Sequence, residues 1–250
     1  MSCFSGLKMK RKVNEIKRYY ENEKLSESYI SNRFVRPLGR LIHNNQVSFL
    51  NKFINKNNIK TVMDLACGPA RISKDIVGIE SGIAADNSAP MLKIAKKYLD
   101  NKWKTKKIDA FKPNINKKFD LVFSFKFIRH FDLKKRAKLY NNIKKLLGRN
   151  SYFICDVPNK KVYNWHTKKY PSPVYDEFWN RSTITEELNK NGFFIVKLVP
   201  NVKHFKIQEF LSKFSKIKLL TYFIYLLLRL IEKLPSNEPY ELIAVVKIKS

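Results

Sequence analysis

The chain reads as an open α/β fold, a mostly parallel sheet with helices on both faces, and three observations carry that reading. Residues 61–71, TVMDLACGPAR, run from a buried-type strand ending in Asp64, through a tight loop of small residues, into a predicted helix. A second short apolar run, GIAAD at 82–86, ends in another acid, Asp86, about twenty residues further on, where the second strand of such a sheet presents a carboxylate to ribose hydroxyls. Strand-like and helical patterns then alternate to the end of the chain, as parallel βαβ units require.

Taken in order, residues 8–57 predict helices ahead of the sheet. Val13, Ile16 and Tyr20 share one helical face, followed by the runs YISNRFVRPLGRLI and QVSFLNKFI; Tyr19, Tyr20 and Tyr29 are read as core or lid packing. The first strand of an open sheet ends at a crevice where a ligand can lie against backbone, and Ala66, Gly68 and Ala70 keep that approach unobstructed. The spacing lacks the third glycine of a dinucleotide fingerprint, and no G-K-[ST] follows to hold phosphates and magnesium, so neither of those readings fits. After Asp86 a helix is signalled by Ser88 as cap, Pro90 in the first turn, and Met91, Leu92, Ala95 and Leu99 on one face. KKIDAF places Asp109 at the end of a third strand, FDLVFSF at 119–125 is a fourth, and SYFICDV at 151–157 a fifth.

Residues 158–181, rich in aromatics, lysines and prolines, predict an ordered loop with turns rather than a regular element. The helix TITEELNKNG follows, closed by Gly192, and then the strand FFIVKLV. Between 204 and 234 apolar residues recur at three-and-four spacing, predicting a long helix or helix pair. Within it LLTYFIYLLL is apolar on nearly every side yet falls short of the ~20 residues that a bilayer crossing needs. YELIAVVKI alternates as a final strand.

With 250 residues and 44% hydrophobic content, one domain can bury a full core. Cys3, Cys67 and Cys155 show no paired or metal-type spacing, so no metal is expected and a reducing cytoplasm suits them. No sustained apolar run opens the chain. The formal charge of +29 has two readings: a face for polyanions, or a solvated lysine-rich surface, since lysine outweighs the arginine that phosphate-reading surfaces favour.

Together these residues resemble the class I S-adenosylmethionine-dependent methyltransferases, in particular the broad type 11 group of small-molecule and lipid methylases. The resemblance covers residues 60–157 by motif and most of the chain by element order. It implies a Rossmann-like, seven-stranded, mostly parallel sheet with a reversed final strand, helices on both faces, an N-terminal helical lid and a helical insertion before the last strand. It implies one domain over 1–250: lid 1–57, cofactor-binding core 58–157, substrate-side loop 158–181, and the C-terminal half 182–250 with its insertion at 204–234. The implied cofactor is S-adenosyl-L-methionine. Its methionine part would lie along Asp64, Ala66 and Gly68, with Asp64 organising contacts to the amino group. Asp86, with Asn87 beside it, would take the ribose, Asp109 and Ala110 would flank the adenine, and Ser124 would stand near the methionine end. Ala70 departs from the pattern where a third glycine is common, and Asn87 and Met91 fit the family's D-x-S-x-x-M-L run loosely.

Methyl transfer from a sulfonium needs a base only if the acceptor must lose a proton. His130, in the loop after the fourth strand, is the candidate by position and titration range, the alternative being a loop histidine bonded to backbone. Arg129, Lys126 and His166 are candidate binders of an anionic acceptor group, and Tyr163, Trp165, Tyr170 and Trp179 candidate contacts from the 158–181 loop. The fourth strand runs into SFKF, without the [DNS]-P-P-[YF] element implied for methylation of exocyclic base amines and without a nucleophilic cysteine. Nucleic acid is therefore disfavoured. The expected acceptor is a small or lipid-like molecule, with 204–234 as a peripheral membrane contact; the alternatives are an RNA or protein methylase using the basic surface, or a non-catalytic cofactor-binding protein.

Overall fold

The computed structural model describes residues 36–249 other than 171, 173, 217 and 237; the helices expected over 8–35, with Tyr19, Tyr20 and Tyr29, lie outside the described residues. The strands are β1 (Thr61–Leu65), β2 (Ser81–Asp86), β3 (Trp103–Lys107), β4 (Phe119–Ser124), β5 (Leu147–Pro158), β6 (Phe193–Asn201) and β7 (Glu241–Ile248). They form one sheet in the order β3-β2-β1-β4-β5-β7-β6. The first five pair in parallel, and β7 runs antiparallel between β5 and β6. The expected reversed final strand is thus present. All functional loops fall on one rim, where β1 to β6 end and β7 begins.

The helices are α1 (Pro37–Lys56), α2 (Ala89–Tyr98), α3 (Leu133–Leu146), α4 (Lys160–Lys169), α5 (Arg181–Lys190), α6 (Phe205–Ser212) and α7 (Lys218–Ile231). Strand side chains alternate between two cores. Met63, Val122 and Leu242 face one layer with Leu139, Ile143 and Ile184 of α3 and α5. Val62, Leu121 and Ile243 face the other, with Leu50, Ile54 and Leu92 of α1 and α2. Alternation inside nearly continuous apolar runs is what a sheet covered on both faces requires. A smaller cluster, including Leu41, Tyr163, Phe205, Leu228 and Tyr240, joins α1, α4, α6 and α7 beside the rim.

Three elements differ from expectation. The helix predicted after β1 is a single 3-10 turn, Ser73–Asp75. The β1–β2 connection is short, and α1 occupies that layer: Asn51 accepts from Val77 N at 3.1 Å and donates to Asp75 O at 2.9 Å, tying the end of the turn to α1. β3 stops before Asp109, although Ile108 N still donates to Asp86 O at 2.9 Å. The segment 158–181 is not all loop, because α4 fills its first half, with Asn159 as cap and Val162 and Tyr163 buried. The capping pattern Asn180/Thr183 starts α5, and Gly192 follows its end with φ 81°, the left-handed conformation that glycine adopts without a Cβ penalty.

Gly82 of β2 is required by its neighbour. A Cβ there would stand 2.4 Å from the Trp103 ring on β3. Gly82→Ala is expected to cost about 1–3 kcal/mol through overpacking, read from urea denaturation. Adding Trp103→Leu should recover part of the loss; no recovery would mean that the strain lies in the backbone.

Candidate active site

β1 carries Asp64 to the rim, and the chain then turns through Ala66, Gly68 and Ala70, all at positive φ (63°, 56° and 58°). An alanine pays about 1–2 kcal/mol there, and the loop holds the conformation with backbone bonds: Cys67 N to Ala85 O at 2.9 Å and Ala70 N to Cys67 O at 3.1 Å. A Cβ added to Gly68 would meet nothing within 4 Å. The loop therefore presents bare backbone to open space, the kind of cradle that an extended small ligand can lie against.

Two carboxylates flank this cradle. Asp64 is 3% exposed and accepts from Ser73 Oγ. Burial pushes its carboxyl from 3.8 up to about 7, the Ser73 bond and the Arg71 charge opposing and Asp86 reinforcing the rise. Asp86 is half-buried and accepts from Gly68 N through Oδ2 and from Ser88 N through Oδ1, both at 2.8 Å. Burial raises its pKa as well, against the backbone N–H groups of Ser88, Gly68 and Asn87. Each Asp86 oxygen keeps a second lone pair, so a pair of hydroxyls fits it. Asn87 opens the turn into α2, where Ser88 Oγ caps Met91 N at 3.3 Å.

The other expected cofactor residues are placed differently. Asp109 is exposed and closes its own turn by accepting from Phe111 N at 2.8 Å. Ala110 is buried, its carbonyl taken by Asn142 Nδ2 at 3.1 Å. Ser124 Oγ donates to Leu65 O at 2.6 Å, so the hydroxyl ties β4 to β1.

Across the rim lies the acceptor side. Arg129 grips Asp176 with two bonds, Nε–Oδ1 at 2.8 Å and Nη2–Oδ2 at 2.9 Å, and donates to Tyr163 Oη at 2.7 Å. Burial opposes the Arg129 charge, but Tyr163 and Asp176 outweigh it and hold the pKa well above its ordinary value. The His130 hydrogen bond and the Arg129 guanidinium hold Asp176 below the usual carboxylate range against its burial. His130 is 6% exposed, with Nδ1 at 2.9 Å from Tyr175 O and 3.0 Å from Asp176 Oδ1. This is the geometry of a ring that anchors the segment before α5. Tyr163 stacks on Tyr240, which stacks on Phe205, at centroid distances of 4.4 and 4.0 Å. The half-buried His166 packs edge-on to Phe205 and Tyr240, and burial lowers its pKa. The structure thus joins Arg129, His130 and Tyr163 in one bonded cluster, with His166 at its edge, while Asp64 and Asp86 lie near the rim ends of β1 and β2 beside the loop.

Between the two sides runs a buried polar chain; of its members the sequence singles out only Lys126, as a candidate anion binder. Glu241, at the start of β7, accepts from Gln46 Nε2 at 2.8 Å and Asn201 Nδ2 at 2.7 Å and pairs with Lys126. Lys126, at φ 59°, also lies 3.3 Å from Asp156 Oδ2; burial opposes its charge, and the two carboxylates prevail, raising its pKa. Arg71 Nη2 donates to Gln46 Oε1 at 2.8 Å, linking α1 to the cradle. The one legible signal for this chain is an acid inside an apolar strand, at Asp156 and Glu241, as at Asp64 and Asp86.

Residues 62–150 match a family model described as a methyltransferase domain. No curated protein matches by sequence. Among solved structures the chain is similar to DhpI in complex with SAH, at 12% identity and TM-score 0.65 over 95% of this chain and 97% of that one. An S-adenosylmethionine-dependent methyltransferase from Clostridium acetobutylicum is similar at 14% identity and TM-score 0.59, over 95% and 99%. Magnesium protoporphyrin IX methyltransferase from Synechocystis with bound SAH aligns at 14% identity and TM-score 0.59, over 95% and 94%. Likeness at these identities establishes a shared fold.

Proposed function

We propose that this chain, a class I S-adenosylmethionine-dependent methyltransferase by its fold and its methyltransferase domain, acts on a small, lipid-like acceptor that it meets at a membrane surface. The observation that carries the acceptor reading is the placement of α6 and α7. They are inserted between β6 and β7, at the rim that holds the cradle, and they expose large apolar side chains there. Magnesium protoporphyrin IX, named for one similar structure, is likewise a small acceptor.

S-adenosylmethionine, when bound, supplies a methyl group on a sulfonium. The bare backbone at Gly68 fits an extended ligand; Asp86 would hold the ribose hydroxyls and Asp64 the amino group. The work left to the protein is to align the acceptor and exclude water. The stack of Tyr163, Tyr240 and Phe205, clamped by Arg129 and Asp176, would wall the acceptor side. With Nδ1 committed to Tyr175 O, His130 positions this wall.

The test is methyl transfer from radiolabelled S-adenosylmethionine into host-cell extract separated into lipid, small-molecule, RNA and protein fractions. Label in the lipid or small-molecule fraction is expected, and Asp86→Ala should abolish it. Label in RNA or protein would overturn the reading in favour of the basic surface as substrate track. Cofactor binding with no label in any fraction would mark a binding protein.

A further inference from the structure

Ten of the sixteen large apolar side chains exposed among the described residues lie between Ile207 and Leu234. On α7, Leu220, Phe223, Leu227 and Leu230 follow three-four-three spacing and are 40, 61, 42 and 59% exposed. The opposite side of the helix is already used, with Ile224, Tyr225 and Leu228 buried beside α1 and α6. A second, outward stripe on a helix with a satisfied core face marks an interaction surface. No described helix is long and apolar enough to cross a membrane, so the stripe suits a helix lying in an interface.

The charges around the stripe are predominantly positive. α7 contains no acid, and Glu232, just beyond it, turns inward to Val202 N and Lys203 N at 3.1 and 2.9 Å. At the α4 end, Lys169 and Lys206 place Nζ 5.6 and 5.7 Å from the Trp165 ring centroid. Lys213 follows α6 and is exposed. The nearby carboxylate, Glu209, stands 3.8 Å from Lys169 Nζ. A phosphate, with several acceptor oxygens, suits a cluster of ammonium donors.

We infer that the outer face of α6 and α7, with the end of α4, docks on an anionic bilayer, Lys169, Lys206 and Lys213 binding headgroup phosphates while the leucine and phenylalanine stripe enters the acyl boundary. This rests on the lipid-like acceptor proposed above and names the surface that presents it. Charge decides between occupants. A second copy would bring another formal +29 against these lysines, and residues 1–35 carry eight Lys or Arg against four Glu. An anionic lipid surface complements the face in both its apolar and its cationic parts.

The full chain is sedimented with vesicles of phosphatidylglycerol or of phosphatidylcholine. Binding to the first and little to the second is expected. Lys169→Gln/Lys206→Gln/Lys213→Gln should weaken it about fivefold per lysine, roughly a hundredfold in all. Phe223→Ser/Leu227→Ser/Leu230→Ser should also release the protein, and unchanged S-adenosylmethionine affinity in both variants shows that the fold is kept. Equal binding to both vesicles, no binding to phosphatidylglycerol, an unaffected lysine variant, or a dimer that the serine variant dissociates would each overturn the inference. The acceptor reading is scored separately, by label transfer into detergent-extracted lipid, and survives if vesicle binding fails.

Discussion

Asp64→Asn is expected to make the unliganded protein more stable above neutral pH and, in the same protein, to weaken its hold on S-adenosylmethionine. Burial raises the Asp64 carboxyl from 3.8 to about 7 in the folded chain. Between those values the folded state keeps a proton that the unfolded state has released. Stability therefore falls as pH rises through the window, by about 1.4 kcal/mol per pH unit and on the order of 4 kcal/mol by pH 8. Asparagine carries no such cost, and its amide oxygen still accepts from Ser73 Oγ. Urea denaturation should show a gain for the variant at pH 8 that vanishes near pH 4. The loss appears in binding: a carboxylate facing a ligand ammonium contributes about 1.5–3 kcal/mol, so calorimetry should find cofactor affinity reduced roughly ten- to a hundredfold. An equal stability gain at both pH values would sink the titration argument, and unchanged affinity would remove Asp64 from the cofactor site. Both results together would mean that the ligand relieves an unfavourable buried charge.

Where apolar periodicity is unbroken, sequence and structure agree. GIAAD, FDLVFSF and YELIAVVKI are strands, and Ser88, Pro90 and Met91 begin α2 as their chemistry requires. α4 is not legible because lysines and aromatics occupy most of its positions, so the burial of Val162 and Tyr163 depends on Phe205 of α6 and on Tyr240, remote in sequence. The 3-10 turn after β1 is hidden for a related reason: the helix that covers that layer, α1, comes earlier in the chain. At the site, Asp64 and Asp86 can be found because an acid ending an apolar run needs a reason to be there. Ser124 and Ala110 cannot be assigned in this way, since only the fold reveals that Leu65 O and Asn142 engage them. Gln46 and Arg71 meet their partners only through tertiary structure, Gln46 reaching Glu241 across 195 residues.

Glu241→Ala should be among the most costly single changes at the rim, about 3–5 kcal/mol, because it strips a buried cation and two buried amides of one shared acceptor. Glu241 is fully buried, and Gln46, Asn201 and Lys126 all converge on it. Asp156 would remain beside Lys126, at 3.3 Å, so the lysine keeps one counter-charge and the chain is expected to fold in weakened form. Glu241→Gln keeps an acceptor but turns an amide donor toward donors, and should fall between the wild type and the alanine variant. A double-mutant cycle with Lys126→Met isolates the ion pair: a coupling energy above about 1 kcal/mol is expected for charges in direct contact. A loss below 1 kcal/mol for the alanine variant would show that water already serves these groups. Gln46 also accepts from Arg71, and Arg71 lies beside Asp64, so loosening Glu241 should reach the cradle and weaken cofactor binding without touching a residue that faces the ligand. In a chain with 50 lysines and arginines against 21 acids, the acids at this rim are committed inward, and the cationic excess is left to the outer surface.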